Sequence, residues 1–251
     1  FEKEVKNYFK GKGFCETINY AFISDEMQRF FQNNNRNFET DNIFLKNPIN
    51  NEWRVMRKSL LPGLLISIQK NINRGIEEVQ LFELGRQYDP VKGTNAFSKN
   101  KAADKNKSNL SKEVNYLSGM LTSKVERKLW KEEMSRNIYY LKGIIEMFLE
   151  EMRLKKFSFK KTSLPAFYDL IELYSSKNKI GFIGELSPGI TDKLDVKDRL
   201  LVFEINLDIL YKIREELTSF RSISKYPNIL RDIAILADRK VESKVIEDFI
   251  K

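Results

Sequence analysis

Histidine is absent from all 251 residues, which removes the commonest general base and the commonest metal ligand. Cysteine occurs once, at Cys15. Neither an intrachain disulfide nor a cysteine-ligated zinc site can form, and no histidine exists to activate a catalytic thiol. A lone cysteine in such a setting reads as buried filler. The longest apolar runs, such as Leu200-Leu201-Val202-Phe203, fall far short of the ~20 residues a membrane span needs. No secretory leader is visible, and the reading is a cytoplasmic, reducing location with no membrane partner. Gly-x-Gly-x-x-Gly and P-loop patterns are missing too, so a Rossmann or Walker nucleotide site has no support.

Hydrophobic residues make up 41% and aromatics 12% of the chain, enough for a real core. The length suits one large domain or two smaller ones. The chain opens at Phe1, which reads as a fragment. The formal charge of +9 is consistent with a nucleic-acid partner. It is equally consistent with a coding bias toward lysine and asparagine, as in Asn33-Asn34-Asn35, because the lysines are dispersed.

Periodicity predicts helices over 2–12, 60–73, 141–152 and 208–217 and strands over 17–23, 43–45, 79–88, 114–122, 156–161, 169–175, 179–186 and 200–205. The strongest helix carries Leu60, Leu64, Ile68 and Ile72 in one stripe, with Leu61 and Leu65 beside it and Pro62 in the first turn, where a missing N–H costs nothing. Residues 91–113 read as an exposed loop rich in Lys, Asn and Ser. Residues 219–228 read as a linker, with a strand over 231–237 and a helix from Val241. Adjacent strands without regular βαβ alternation imply an α+β fold with a mostly antiparallel sheet.

Four segments then carry a family likeness. They are Gly13 to Phe22; Asn47-Pro48-Ile49 with Glu52 and Met56 to Leu65; Leu81-Phe82-Glu83-Leu84-Gly85; and Ile180 to Pro188. Two echoes are Leu141-Lys142-Gly143, and Pro227 with Arg231-Asp232-Ile233-Ala234. In this order they resemble the C-terminal part of a bacterial-type phenylalanyl-tRNA synthetase beta subunit. The resemblance implies a class II synthetase-like antiparallel sheet with flanking helices over 1–217. It implies a linker and the first strand and helix of a truncated ferredoxin-like anticodon-binding domain over 218–251.

It also implies a structural role. In the family the alpha subunit performs catalysis, and ATP and magnesium belong to the intact enzyme; no catalytic, cofactor or metal residue is expected in this chain. The alpha subunit's Gly-Arg-hydrophobic-Tyr strand is followed by a phosphate-binding arginine, whereas Gly85-Arg86-Gln87-Tyr88 is followed by Asp89, which would repel phosphate. The family's glycine-rich last ATP motif is matched by Phe203 to Ile209, with Glu204 and Asn206 where glycines would leave room. The family's His-Pro-Gly run is replaced by Leu164-Pro165-Ala166-Phe167-Tyr168, so nothing tied to that histidine carries over.

The expected partners are the synthetase alpha subunit and, in the complex, tRNA(Phe). The expected alpha-subunit interface is Glu52, Arg57, Leu60, Leu61, Leu64, Leu65 and Ile68. The expected tRNA-proximal residues are Lys225 and Arg231. A stand-alone tRNA- or RNA-binding module sharing the fold is the alternative, although no aromatic platform interleaved with basic residues is evident.

Overall fold

The computed structural model describes residues 1–31, 42–48, 50, 53–90, 111–125, 135–215, 226, 229, 231–238, 241 and 243–250. The expected residues Glu52 and Lys225, and most of the loop expected at 91–113, lie outside them. The chain divides into two compact units, Phe1–Glu216 and Leu217–Lys251.

In the first unit the described elements run α1 (Glu2–Gly11), β1 (Cys15–Glu16), β2 (Phe22–Ile23), α2 (Asp25–Phe30), β3 (Val55–Met56), α3 (Leu61–Ile72), β4 (Gln80–Asp89) and β5 (Lys112–Thr122). They continue as α4 (Ile138–Glu151), β6 (Ser158–Thr162), β7 (Phe167–Ser175), β8 (Asn178–Leu186), α5 (Pro188–Thr191), β9 (Leu200–Asn206) and α6 (Leu207–Ile213). The sheet has seven strands in the order β1-β4-β5-β9-β8-β7-β6. Every pairing is antiparallel except that of β1, which joins β4 in parallel at one edge. The sheet is therefore mixed rather than purely antiparallel. β2 and β3 form a separate antiparallel pair.

Of residues 17–23, expected as one strand, only Phe22–Ile23 form one, and it belongs to the separate pair with β3 rather than to the main sheet. Asn19 lies in the gap between β1 and β2. Its side chain donates to Glu83 Oε2 at 2.7 Å and accepts from Ser67 Oγ at 2.9 Å, which pulls the chain out of the ladder toward α3. Lys112 and Glu113, expected as loop, instead pair with Asp89 and Tyr88. Cys15 is exposed on the edge strand and is not core filler.

The core has two layers, one on each face of the sheet. Phe82, Leu117, Ile183, Phe203 and Ile205 point toward α1, α4 and α6. There Phe9 stacks on Phe82 and Phe203 at centroid distances of 5.6 and 5.1 Å. The period-2 alternation of strands sends Leu81, Met120, Leu200 and Val202 to the opposite face, under α3. β9 is buried at all seven positions because both of its faces are covered.

In the second unit the described residues 231–238 form no strand, and Ile233, Ile235 and Leu236 are exposed. The expected strand at 231–237 is thus not formed. Among the described residues no strand lies beside it to supply ladder hydrogen bonds. The helix α7 (Ser243–Ile250) does form, with Val245, Phe249 and Ile250 exposed.

Candidate functional site

Beyond the apolar patch under α3, the same sheet face turns polar. Glu83 pairs across the sheet with Ser118, Ser118 with Glu204, Glu204 with Phe182 and Phe182 with Glu172, making one lateral row over five strands. Three carboxylates in one row would repel an anion unless each were answered. Each is answered from within the chain.

Glu83 is buried against Arg57, whose Nη1 donates to its Oε1 at 2.7 Å. Arg57 Nε donates to the Arg86 carbonyl at 3.1 Å. Glu83 also accepts from the Asn19 side chain, and Asn19 binds Ser67 of α3. Two glycines make this arrangement possible. A Cβ on Gly85 would lie 2.3 Å from Arg57 Nη2, and one on Gly63 would lie 2.8 Å from Asn19 Cβ. The family-like segments 13–22, 56–65 and 81–85 therefore converge on one buried network.

Glu204 has a different role. Its Oε2 accepts from Ser59 Oγ and Ser118 Oγ, both at 2.8 Å, and from the Leu60 N–H at 3.1 Å. Ser59 Oγ in turn accepts from the Leu61 N–H. A carboxylate from β9 thus caps the start of α3, where unpaired N–H groups and the helix dipole favour negative charge. Burial still holds the Glu204 carboxyl above the usual carboxylate range, against the lowering by its hydrogen bonds. Glu172 lies below that range, chiefly because Lys179 bonds to it.

Asn206 is also used internally. Its Oδ1 accepts from the Ile209 N–H at 2.9 Å, capping α6, and its Nδ2 donates to the Tyr116 hydroxyl at 3.2 Å. Asp89 is exposed, with Lys58 Nζ 3.6 Å away.

The residues expected at an interface fall inside. Leu60, Leu61, Leu64, Leu65 and Ile68 are 0–1% exposed, and Arg57 is 5% exposed. As placed they offer no surface to a partner, because α3 is laid on the sheet rather than presented outward. Sequence periodicity marks a stripe as buried but not what buries it. Arg231 is exposed in the second unit. Exposed apolar side chains lie elsewhere in the first unit, and among them Ile18 (90% exposed), Tyr20 (63%) and Trp53 fall near one another beside β2 and β3. Tyr20 stacks on Phe22 at 5.3 Å, and a groove of about 380 Å3 runs from these rings to Ile66 and Lys70 on the outer side of α3. Ile18 and Tyr20 belong to the matched segment 13–22, so their alternation was legible; their exposure was not. Among the described residues no three His, Cys, Asp or Glu side chains come together to hold a metal ion, and no helix is long and apolar enough to cross a membrane.

A sheet of this kind, with helices on both faces, is the class II aminoacyl-tRNA synthetase fold. A pyrrolysyl-tRNA synthetase from Desulfitobacterium hafniense superposes with a TM-score of 0.61 at 14% identity, over 84% of this chain and 66% of that one. Residues 1–207 match the family model described as phenylalanyl tRNA synthetase beta chain CLM domain, and the chain belongs to that family. It is similar to the phenylalanine–tRNA ligase beta subunits of Carboxydothermus hydrogenoformans (30% identical, over all of this chain) and Fusobacterium nucleatum (32%, over 98%). The chain spans 30% and 29% of the lengths of those two relatives.

Proposed function

We propose that this chain is the structural, non-catalytic, catalytic-like portion of a phenylalanine–tRNA ligase beta subunit, supporting a catalytic alpha subunit in the ATP-dependent charging of tRNA(Phe). One observation carries the reading. On the sheet face where a class II ligase would need open backbone and available cations, Arg57 is tied to Glu83, and Glu204 and Asn206 cap α3 and α6. ATP and magnesium do not fit this arrangement, so their chemistry belongs to the alpha subunit. Docking of the alpha subunit is assigned to the exposed ridge of Ile18, Tyr20 and Trp53. Apolar rings in a contiguous exposed patch gain free energy only when a partner covers them.

The test combines activity with association. Alone, the chain should give no phenylalanine-dependent ATP–pyrophosphate exchange, and light scattering with the cognate alpha subunit should detect a complex. Tyr20→Asp should weaken that complex by about tenfold or more with circular dichroism unchanged. Exchange by the isolated chain, after host synthetase is rigorously removed, would overturn the non-catalytic assignment. Unaltered binding by both Ile18→Asp and Tyr20→Asp would overturn the docking surface.

A further inference from the structure

Residues 17–21 join β1 to β2 without forming helix or strand, yet they carry the exposed Ile18 and Tyr20. An irregular surface segment ordinarily loses backbone freedom when a partner binds it, and that loss opposes binding. Here the segment is tied to the interior almost residue by residue. The Thr17 N–H donates to the Phe82 carbonyl at 2.8 Å, and the Ala21 carbonyl accepts from the Arg57 N–H at 2.9 Å. Between them Arg57 Nη1 donates to the carbonyls of Asn19 and Tyr20 at 3.5 and 3.4 Å.

Asn19 sits between the two ridge residues, and it is half-buried and turned inward. Its N–H donates to Glu83 Oε1 at 3.3 Å and its Nδ2 to Glu83 Oε2 at 2.7 Å, while its Oδ1 accepts from Ser67 Oγ at 2.9 Å. Asparagine suits this place because one side chain offers a donor to the carboxylate and an acceptor to the hydroxyl. Glu83 stands within β4, its side chain 2% exposed and held by Arg57, so the anchor belongs to the sheet itself. The Tyr20 ring is braced in turn, 5.0 Å from Trp53 and 5.3 Å from Phe22.

We propose that Asn19 is a positioning residue for subunit docking: through it, the buried Glu83 carboxylate fixes Ile18 and Tyr20 in the arrangement that the alpha subunit meets. Side chains already in place spare the complex the cost of ordering them. This inference rests on the docking role proposed for the ridge.

Light scattering of the whole chain and its variants with the alpha subunit tests it, together with hydrogen exchange over 15–22 in the free chain. Asn19→Ala should weaken the complex about tenfold with circular dichroism unchanged, and should speed exchange across 17–21. Ser67→Ala, which removes a hydroxyl without enlarging the side chain, should act in the same direction to a smaller extent, and it decides the matter if Asn19→Ala does not fold. In a Tyr20→Ala background, Asn19→Ala should weaken binding by only about threefold or less, because part of the ridge that it positions is gone; a merely structural role would give the full effect again. Wild-type affinity for Asn19→Ala and Ser67→Ala, with weak binding by Tyr20→Asp, would overturn the positioning role and leave the docking surface standing. Wild-type affinity for both Ile18→Asp and Tyr20→Asp would instead remove the docking surface, and the positioning role with it. Full additivity of Asn19→Ala with Tyr20→Ala, or unaltered exchange over 17–21, would also overturn the positioning role.

Discussion

Glu204 shows how much one side chain can decide. From β9 it reaches the N–H of Leu60 at the N-cap of α3 and two serine hydroxyls, so its loss would strip a partner from three donors, two of which, Ser118 Oγ and the Leu60 N–H, are buried. Buried donors left unsatisfied cost about 1–3 kcal/mol each, with incomplete additivity. Glu204→Ala should therefore lower the unfolding free energy by several kcal/mol, about 2–5. Glu204→Gln, which retains an acceptor oxygen, should cost much less. The pH dependence follows from the direction of the shift. Burial raises the folded-state pKa, so this group's contribution is complete below its unfolded value and fades as pH rises through the folded one. Urea titrations between about pH 4 and 8 should show wild type losing stability relative to Glu204→Gln on the alkaline side. Parallel profiles for the two proteins would sink this account.

At the scale of elements, α3 is the helix on which sequence and structure agree most and least. Its stripe of Leu61, Leu64, Leu65 and Ile68 and its first-turn proline are legible from spacing alone, and the helix forms at Leu61–Ile72. The partner of the stripe is not legible. Spacing cannot separate the chain's own sheet from another subunit, and the sheet's Met120, Val202 and Leu200 are what covers it. The two alternatives differ in the fate of a buried charge. Leu64 is fully buried, so Leu64→Asp places a carboxylate in the core and should abolish the cooperative unfolding transition in the isolated chain. A Leu64→Asp protein with native circular dichroism and wild-type melting would show that the stripe is surface after all. The short α5 illustrates the same limit. Ser187-Pro188-Gly189 reads as a turn, yet Ser187 accepts from the Gly189 N–H and one helical turn follows.

Across the whole molecule, the described residues of the two units differ in how much they bury. The first encloses its aromatic and aliphatic residues on both faces of one sheet. In the second, Leu236 and Phe249 are 103% and 92% exposed. Local opening costs little where few apolar contacts form. Amides of 243–250 should therefore exchange with solvent orders of magnitude faster than those of β4, as read by native-state hydrogen exchange of a dilute sample. Equal protection of the two segments would show that the second unit is buried by contacts of its own.

By itself the sequence determined the main helices and long strands of the first unit, the α+β class, and the lack of histidine and metal chemistry built on it. These follow from local periodicity, turn residues and composition, which act over a few residues. Only the tertiary structure decided that β1 joins the sheet in parallel, that Arg57 and Glu83 meet, that Glu204 caps a helix 144 residues earlier in the chain, and that the leucine stripe faces inward. Each depends on which segments come together across long separations, and no local spacing encodes that.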